Sequence, residues 1–143
     1  MANESSSGSS VMPAMRYRDA HAAIEWLCNV FGFEKHAVYP GPNGTVGHAE
    51  LTLGGGMIML GSERDDEQSG RFRSPADVGD AETRSVYIVV ADADAAYQRA
   101  KAAGGRIVRE LQNTDYGSRE FTVKDPEGHS WSAGTYNPWA AHS

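Results

Sequence analysis

Cysteine is nearly missing: Cys28 stands alone in a chain of 143 residues. One thiol cannot close an internal disulfide, so the fold must hold without covalent staples and suits a reducing cytoplasm. Cys28 lies in an apolar stretch with no basic neighbours, which fits a buried small hydrophobe better than a reactive thiol. No apolar run approaches the length of a membrane span. Basic residues are in deficit, with 13 Lys and Arg against 19 Asp and Glu and a net charge of -6. That balance argues against a nucleic-acid backbone or an anionic membrane as partner, because both need a basic face. There is no Gly-rich phosphate loop, Ser-His-Asp signature or Cys-x-x-Cys pair. The first ten residues, "MANESSSGSS", lack the basic start and apolar middle of a signal peptide and read as a flexible tail.

What is present describes one soluble domain. Hydrophobic residues make up 40% and charged residues 22%, a globular balance at a length that can bury a real core. Helix and strand signals alternate, and the alternation occurs twice. "VMPAMRYR" (11–18) reads as a strand. Asp19 then caps the helix "AHAAIEWLCNVFG", with Ala23, Trp26, Leu27 and Val30 at helical spacing and Gly32 at its end. "FEKHAVYP", "TVGHAELTL" and "MIMLG" follow as strands, separated by the turns "GPNG" and "GGG". After a polar stretch the pattern restarts. "TRSVYIVVA" is a strand, Asp92 caps "ADAAYQRAKAAGG", and "RIVRELQ", "REFTVKD" and "HSWSAG" are three more strands. The expected organisation is a tail (1–10), one domain (11–138) and a short tail (139–143). Within the domain, module one (11–61) and module two (83–138) flank a linker or mobile loop (62–82).

This tandem β-α-β-β-β plan resembles the vicinal oxygen chelate superfamily, the glyoxalase, bleomycin-resistance and dioxygenase-like group. "RYRDAHAAIEWLCNVFGFE" and "YIVVADADAAYQRAKAAGG" look like its two helical segments. "AELTLGGGMIML" looks like the hairpin closing module one, and "DYGSREFTVKDPEGHSWSAGTYNP" like its last two strands. The resemblance implies an α+β fold in which two curled mixed sheets surround a cup. It also implies a small ligand or a metal in that cup, and usually a homodimer. In metal-dependent relatives each module supplies two ligands, one from its first strand and one from its last. Aligned on the matching residues, those four positions fall on Met12, Met59, Ser85 and Ser132. Thioethers and hydroxyls are poor partners for a divalent cation that needs carboxylate or imidazole. No metal or other cofactor is therefore expected, with a relocated divalent metal as the alternative.

Period-two logic divides each strand into two faces. Met12, Ala14, Arg16, His48, Glu50, Thr52, Met57, Met59, Ser85, Tyr87, Val89, Glu120, Thr122, Ser130 and Ser132 share the cup side, with Tyr136 beyond them. Leu51, Leu53, Ile58, Leu60, Val86, Ile88, Val90, Phe121, Val123 and Trp131 share the other side, beneath the helices. The expected ligand-binding residues are Met12, Arg16, His48, Glu50, Met59, Ser85, Tyr87, Glu120 and Ser132. His48 and Glu50 admit three readings: an acid–base pair, ligands of a displaced metal site, or a hydrogen bond that satisfies both on the sheet. Arg16 either pairs with Glu50 or Glu120 or meets an anionic ligand group. Tyr116 and Arg119 either gate the cup or are ordinary turn residues. His129 is expected near the rim, and His21, His36 and His142 exposed. Residues 62–80 are a solvated linker or a lid.

The function expected from this pattern is metal-free binding of a small organic compound, such as antibiotic sequestration. One alternative is a metal-dependent lyase, isomerase or dioxygenase with ligands moved to His48, Glu50 and Glu120. Another is a metal-free isomerase using Glu50 or Glu120 as its base.

Overall fold

The two capping aspartates do what their position predicts. In the computed structural model, which describes residues 8–64 and 72–140, the Asp19 carboxylate accepts a hydrogen bond from the Ala22 amide and Asp92 from that of Ala95. The helices they open are α1 (Ala20–Phe31) and α2 (Ala93–Ala102). Gly32 ends α1 at φ 84°, a conformation that needs no Cβ in the way.

Each helix belongs to one β-α-β-β-β module. Strands β1 (Ala14–Tyr17), β2 (Glu34–Pro40), β3 (Val46–Leu53) and β4 (Gly56–Ser62) form one mixed sheet in the order β1-β4-β3-β2. Strands β5 (Val86–Val89), β6 (Arg106–Asn113), β7 (Arg119–Lys124) and β8 (Ser130–Gly134) repeat it as β5-β8-β7-β6. In both, the first strand lies parallel to the last, Ala14 beside Met59 and Tyr87 beside Ser132. The sequence separation within these two pairs is the same, so the duplication extends to register. The fold is the expected α+β pair of modules.

β1 and β5 are shorter than their apolar patterns suggest. Pro13 has no N–H to give a ladder, although its carbonyl still accepts from the Met59 amide at 2.9 Å. β4 runs one residue beyond the expected end of module one, to Ser62. The described part of the 62–82 segment is docked on both modules, through an ion pair of Asp77 with Arg18 on module one and through three contacts on module two. The Ala76 amide donates to the Glu127 carbonyl at 3.0 Å, Asp80 pairs with Arg106 at 2.8 Å, and Glu82 accepts from the Ser130 amide. The rest of the expected lid, residues 65–71, lies outside the described residues, as does His142.

The apolar strand faces close against both helices in one core that includes Tyr17, Leu27, Val30, Leu51, Phe121, Val123 and Trp131. The modules share it. Trp131 of β8 packs against Phe31 and Phe33 of module one, each with ring centroids 6.0 Å away. The Trp26 indole of α1 donates to the Ala103 carbonyl at 3.0 Å, and Arg99 of α2 donates to the Val30 carbonyl at 2.8 Å.

The turn "DPEGH" (125–129) joins the modules at a second point. Asp125 is buried and accepts from the Tyr17 hydroxyl, from the Trp131 indole at 3.0 Å and from the amides of Glu127 and His129. Burial pushes its carboxyl above the ordinary range, against the pull of these donors. Glu127 accepts the amides of Arg18 and Asp19, where α1 begins. His129 is not at the rim: it is buried, and its Nε2 donates to the Arg16 carbonyl at 2.9 Å. That imidazole is a second link from the turn to β1 of the other module, beside the Asp125–Tyr17 bond.

Candidate functional site: a cleft on the second sheet

The face of each sheet turned away from the helices is partly open, with mostly polar side chains from β3, β7 and β8 and with Met57 and Met59 from β4. On the second sheet it carries a cleft of about 370 Å³, lined by Ser85, Tyr87, Arg109, Tyr116, Glu120, Ser132, Tyr136 and Pro138. Four of these, Ser85, Tyr87, Glu120 and Ser132, are among the residues expected from sequence.

Glu120 of β7 is the organising group. Its side chain is only 4% exposed. Arg109 Nη2 of β6 donates to Oε1 at 2.8 Å, and the Tyr116 hydroxyl lies 2.9 Å from both carboxylate oxygens. Burial disfavours the charge, but the hydrogen bonds from Arg109, Tyr116 and Ser118 outweigh it and hold the carboxyl below its ordinary range. The same contact and burial push the Tyr116 phenol up. Glu120 is therefore an anchored anion and poorly placed as a proton-abstracting base.

Gly134 of β8 makes room for it. A Cβ there would stand 2.5 Å from Glu120 Cγ and 2.7 Å from the Tyr87 hydroxyl. That hydroxyl donates to the Tyr136 carbonyl at 2.7 Å. Tyr136 in turn meets Tyr116 edge-on, with centroids 5.5 Å apart and planes at 80°. Ser132 shares a hydrogen bond with Thr122 at 2.8 Å.

The remaining candidates stand on the first sheet or its approach and do not line this cleft. Met12 precedes β1 and is exposed, and Met59 is half-buried on β4. Arg16 lies over Gly61, where a Cβ would meet its Nη1, and donates to the Ser62 carbonyl at 3.3 Å. It is Arg109, not Arg16, that pairs with Glu120. His48 Nε2 is 2.9 Å from Glu50 Oε2, the hydrogen bond that satisfies both. Tyr39 stacks on His48 at 6.0 Å, and His36 Nε2 lies 3.9 Å from the other Glu50 oxygen. His21 is not without a partner, since its ring meets the Gly44 carbonyl at 3.0 Å. Of the two proposed gate residues, Tyr116 lines the cleft, whereas Arg119 pairs with Asp94 at 2.6 Å.

Arg109 and Pro138 are lining residues that sequence reasoning missed. A register shift between Ile107 and Arg109 breaks the alternation of β6 and sets Arg109 opposite Thr122. Such an extra residue reverses the face assignment beyond it. β2 has the matching irregularity between Lys35 and Ala37, near His36.

Paired modules of this topology with a ligand-sized recess on the outer sheet face define a two-module, cup-type α+β class. Residues 10–133 match the model of the Glyoxalase/Bleomycin resistance protein/Dioxygenase superfamily, and the chain belongs to that family. It is 33% identical over 122 residues to an uncharacterized protein of Mycobacterium bovis, covering 85% of this chain and 80% of that one. Among solved structures it is similar to TioX from Micromonospora sp. ML1, at 32% identity and a TM-score of 0.70, covering 91% of this chain and all of that one (100%). The fold is also that of the fosfomycin resistance protein FosX from Mesorhizobium loti, with 11% identity, a TM-score of 0.61 and coverage of 94% and 96%.

Proposed function

We propose that this chain binds a small organic ligand in the second-module cleft, without a metal, and sequesters it unchanged. The observation that carries this reading is the residue chemistry of the recess. Of the four positions that resemble the family's ligand sites, Ser85 and Ser132 line it while Met12 and Met59 stand outside it, and all four are alcohols or thioethers. Among the described residues, no group of three or more His, Cys, Asp or Glu side chains is placed to hold a cation. Three tyrosines, two serines, a proline and an Arg–Glu pair line a volume that suits a drug-sized molecule. The metal alternative with ligands at His48, Glu50 and Glu120 draws no support from this geometry, because Glu120 is held by Arg109 and Tyr116. The same engagement weighs against Glu120 as an isomerase base.

The reading includes a homodimer, in which a second copy covers exposed sheet face, and a cytoplasmic setting, which the lone Cys28 permits. Among the described residues no helix is long and apolar enough to cross a membrane. Elemental analysis of purified protein, followed by a thermal-shift screen against antibiotics and small thiol adducts, tests the proposal. Far less than one equivalent of Zn, Ni, Fe or Mn and a melting shift with one compound class are expected. A stoichiometric, tightly held transition ion overturns the metal-free part. Turnover of a binding compound overturns sequestration.

A further inference from the structure

Building on that ligand-binding reading, we propose that the cleft selects flat aromatic acids, and that Arg109 is the residue that reads the acid group. The two charged groups of the cleft differ in accessibility. Glu120 and Arg109 are the acidic and basic side chains in its lining. Glu120 is 4% exposed with both oxygens engaged, while Arg109 is 41% exposed. A guanidinium carries five N–H donors. Arg109 uses Nη2 on Glu120, and no other hydrogen bond of this side chain is found among the described residues. The second Nη2 N–H, with the N–H of whichever neighbouring nitrogen it faces, Nε or Nη1, is left as a fork for a second carboxylate, which it fits with two parallel hydrogen bonds. An incoming cation would meet the guanidinium and find the carboxylate already taken. The accessible charged group of the cleft is thus the guanidinium, although the Arg109–Glu120 pair is neutral as a unit and the whole chain carries a charge of -6. Contact outweighs that distant charge, which salt screens beyond about 8–10 Å.

The walls specify the rest of the ligand. Tyr87, Tyr116, Tyr136 and Pro138 supply its apolar surface, with no aliphatic side chain larger than proline among the lining residues. The Tyr87 and Tyr116 protons are directed to the Tyr136 carbonyl and to Glu120. These phenols therefore offer ring surface more than donors, and rings favour a planar guest. Ser85 and Ser132 add neutral hydrogen-bonding groups for a heteroatom on its edge.

Calorimetric titration of the full chain with 2-naphthoate, 2-naphthamide and 2-naphthylmethylamine tests the inference, since the three share a ring system and differ in charge. The acid is expected to bind about tenfold or more tighter than the amide, as one charge-assisted pair implies, and the amine weakest. Arg109→Met with Glu120→Gln, which avoids a buried unpaired carboxylate, is expected to bring the acid down to the amide. Retained melting of that variant shows that it is folded, and Arg109→Lys keeps part of the preference. Equal binding of acid and amide, a preference for the amine, or an acid preference that survives the double variant overturns the inference. So does failure of all three to bind at millimolar concentration. The thermal-shift screen with unrelated compounds decides separately whether the ligand-binding reading beneath it stands.

Discussion

Glu120 is buried, charged and satisfied, and each of those words has a consequence. Because its folded carboxyl titrates below the ordinary range, it contributes stability that is fully present above the unfolded value near 4. That contribution is lost as pH falls through the lower folded value. Acid unfolding of the wild type should therefore steepen below about pH 4, the ordinary carboxylate range. Glu120→Gln should destabilise the protein by about 1.5–3 kcal/mol at pH 7, the usual worth of a hydrogen bond to a charged group, and by less at pH 3. Urea melts of both proteins at the two pH values measure this. An equal loss at both would mean that the charge is not what matters. From sequence, period two placed Glu120 on the cup side but gave no sign of its partner. Arg109 was hidden by the extra residue in β6, a local break that no alternation rule anticipates. Pro138, beyond the last strand, belongs to no periodic pattern at all.

Secondary structure was legible because its signals are local. Asp19, Gly32 and Asp92 mark helix ends through hydrogen bonds spanning a few residues, and the apolar parity of β3, β7 and β8 is read directly from the chain. Long-range polar contacts were not legible. His129 looked like a rim residue because Arg16, its acceptor, lies 113 positions away. Glu127 is the same kind of case at the level of an element. It adds a carboxylate from module two to the N-terminus of α1, where unpaired amides and the helix dipole favour negative charge. Glu127→Ala should cost about 0.5–2 kcal/mol, the range for a lost N-terminal cap, with Asp19→Ala costing a similar amount. Both are checked by thermal melts, and hydrogen exchange should report faster exchange in the first turn of α1. Unchanged exchange there would remove this role from Glu127.

Seen whole, the molecule keeps its apolar strand faces covered and leaves part of the opposite faces bare. Tyr39, Tyr87 and Val89 are exposed there, and Val38 and Val108 on the edge strands β2 and β6, apolar surface that the proposed dimer would cover. Sedimentation at micromolar concentration is expected to show a dimer, and Tyr39→Lys with Val108→Lys to shift it toward monomer without lowering helix content. A monomer at every concentration would remove the dimer from the proposed function. The interlock of Trp131 with Phe31 and Phe33, and of Asp125 with Tyr17, has a different consequence. Neither half can close its own interior, so each alone would be an adhesive fragment. Two such fragments, cut within residues 65–71 and made together, would complete one another, which makes this chain a natural starting point for a split reporter.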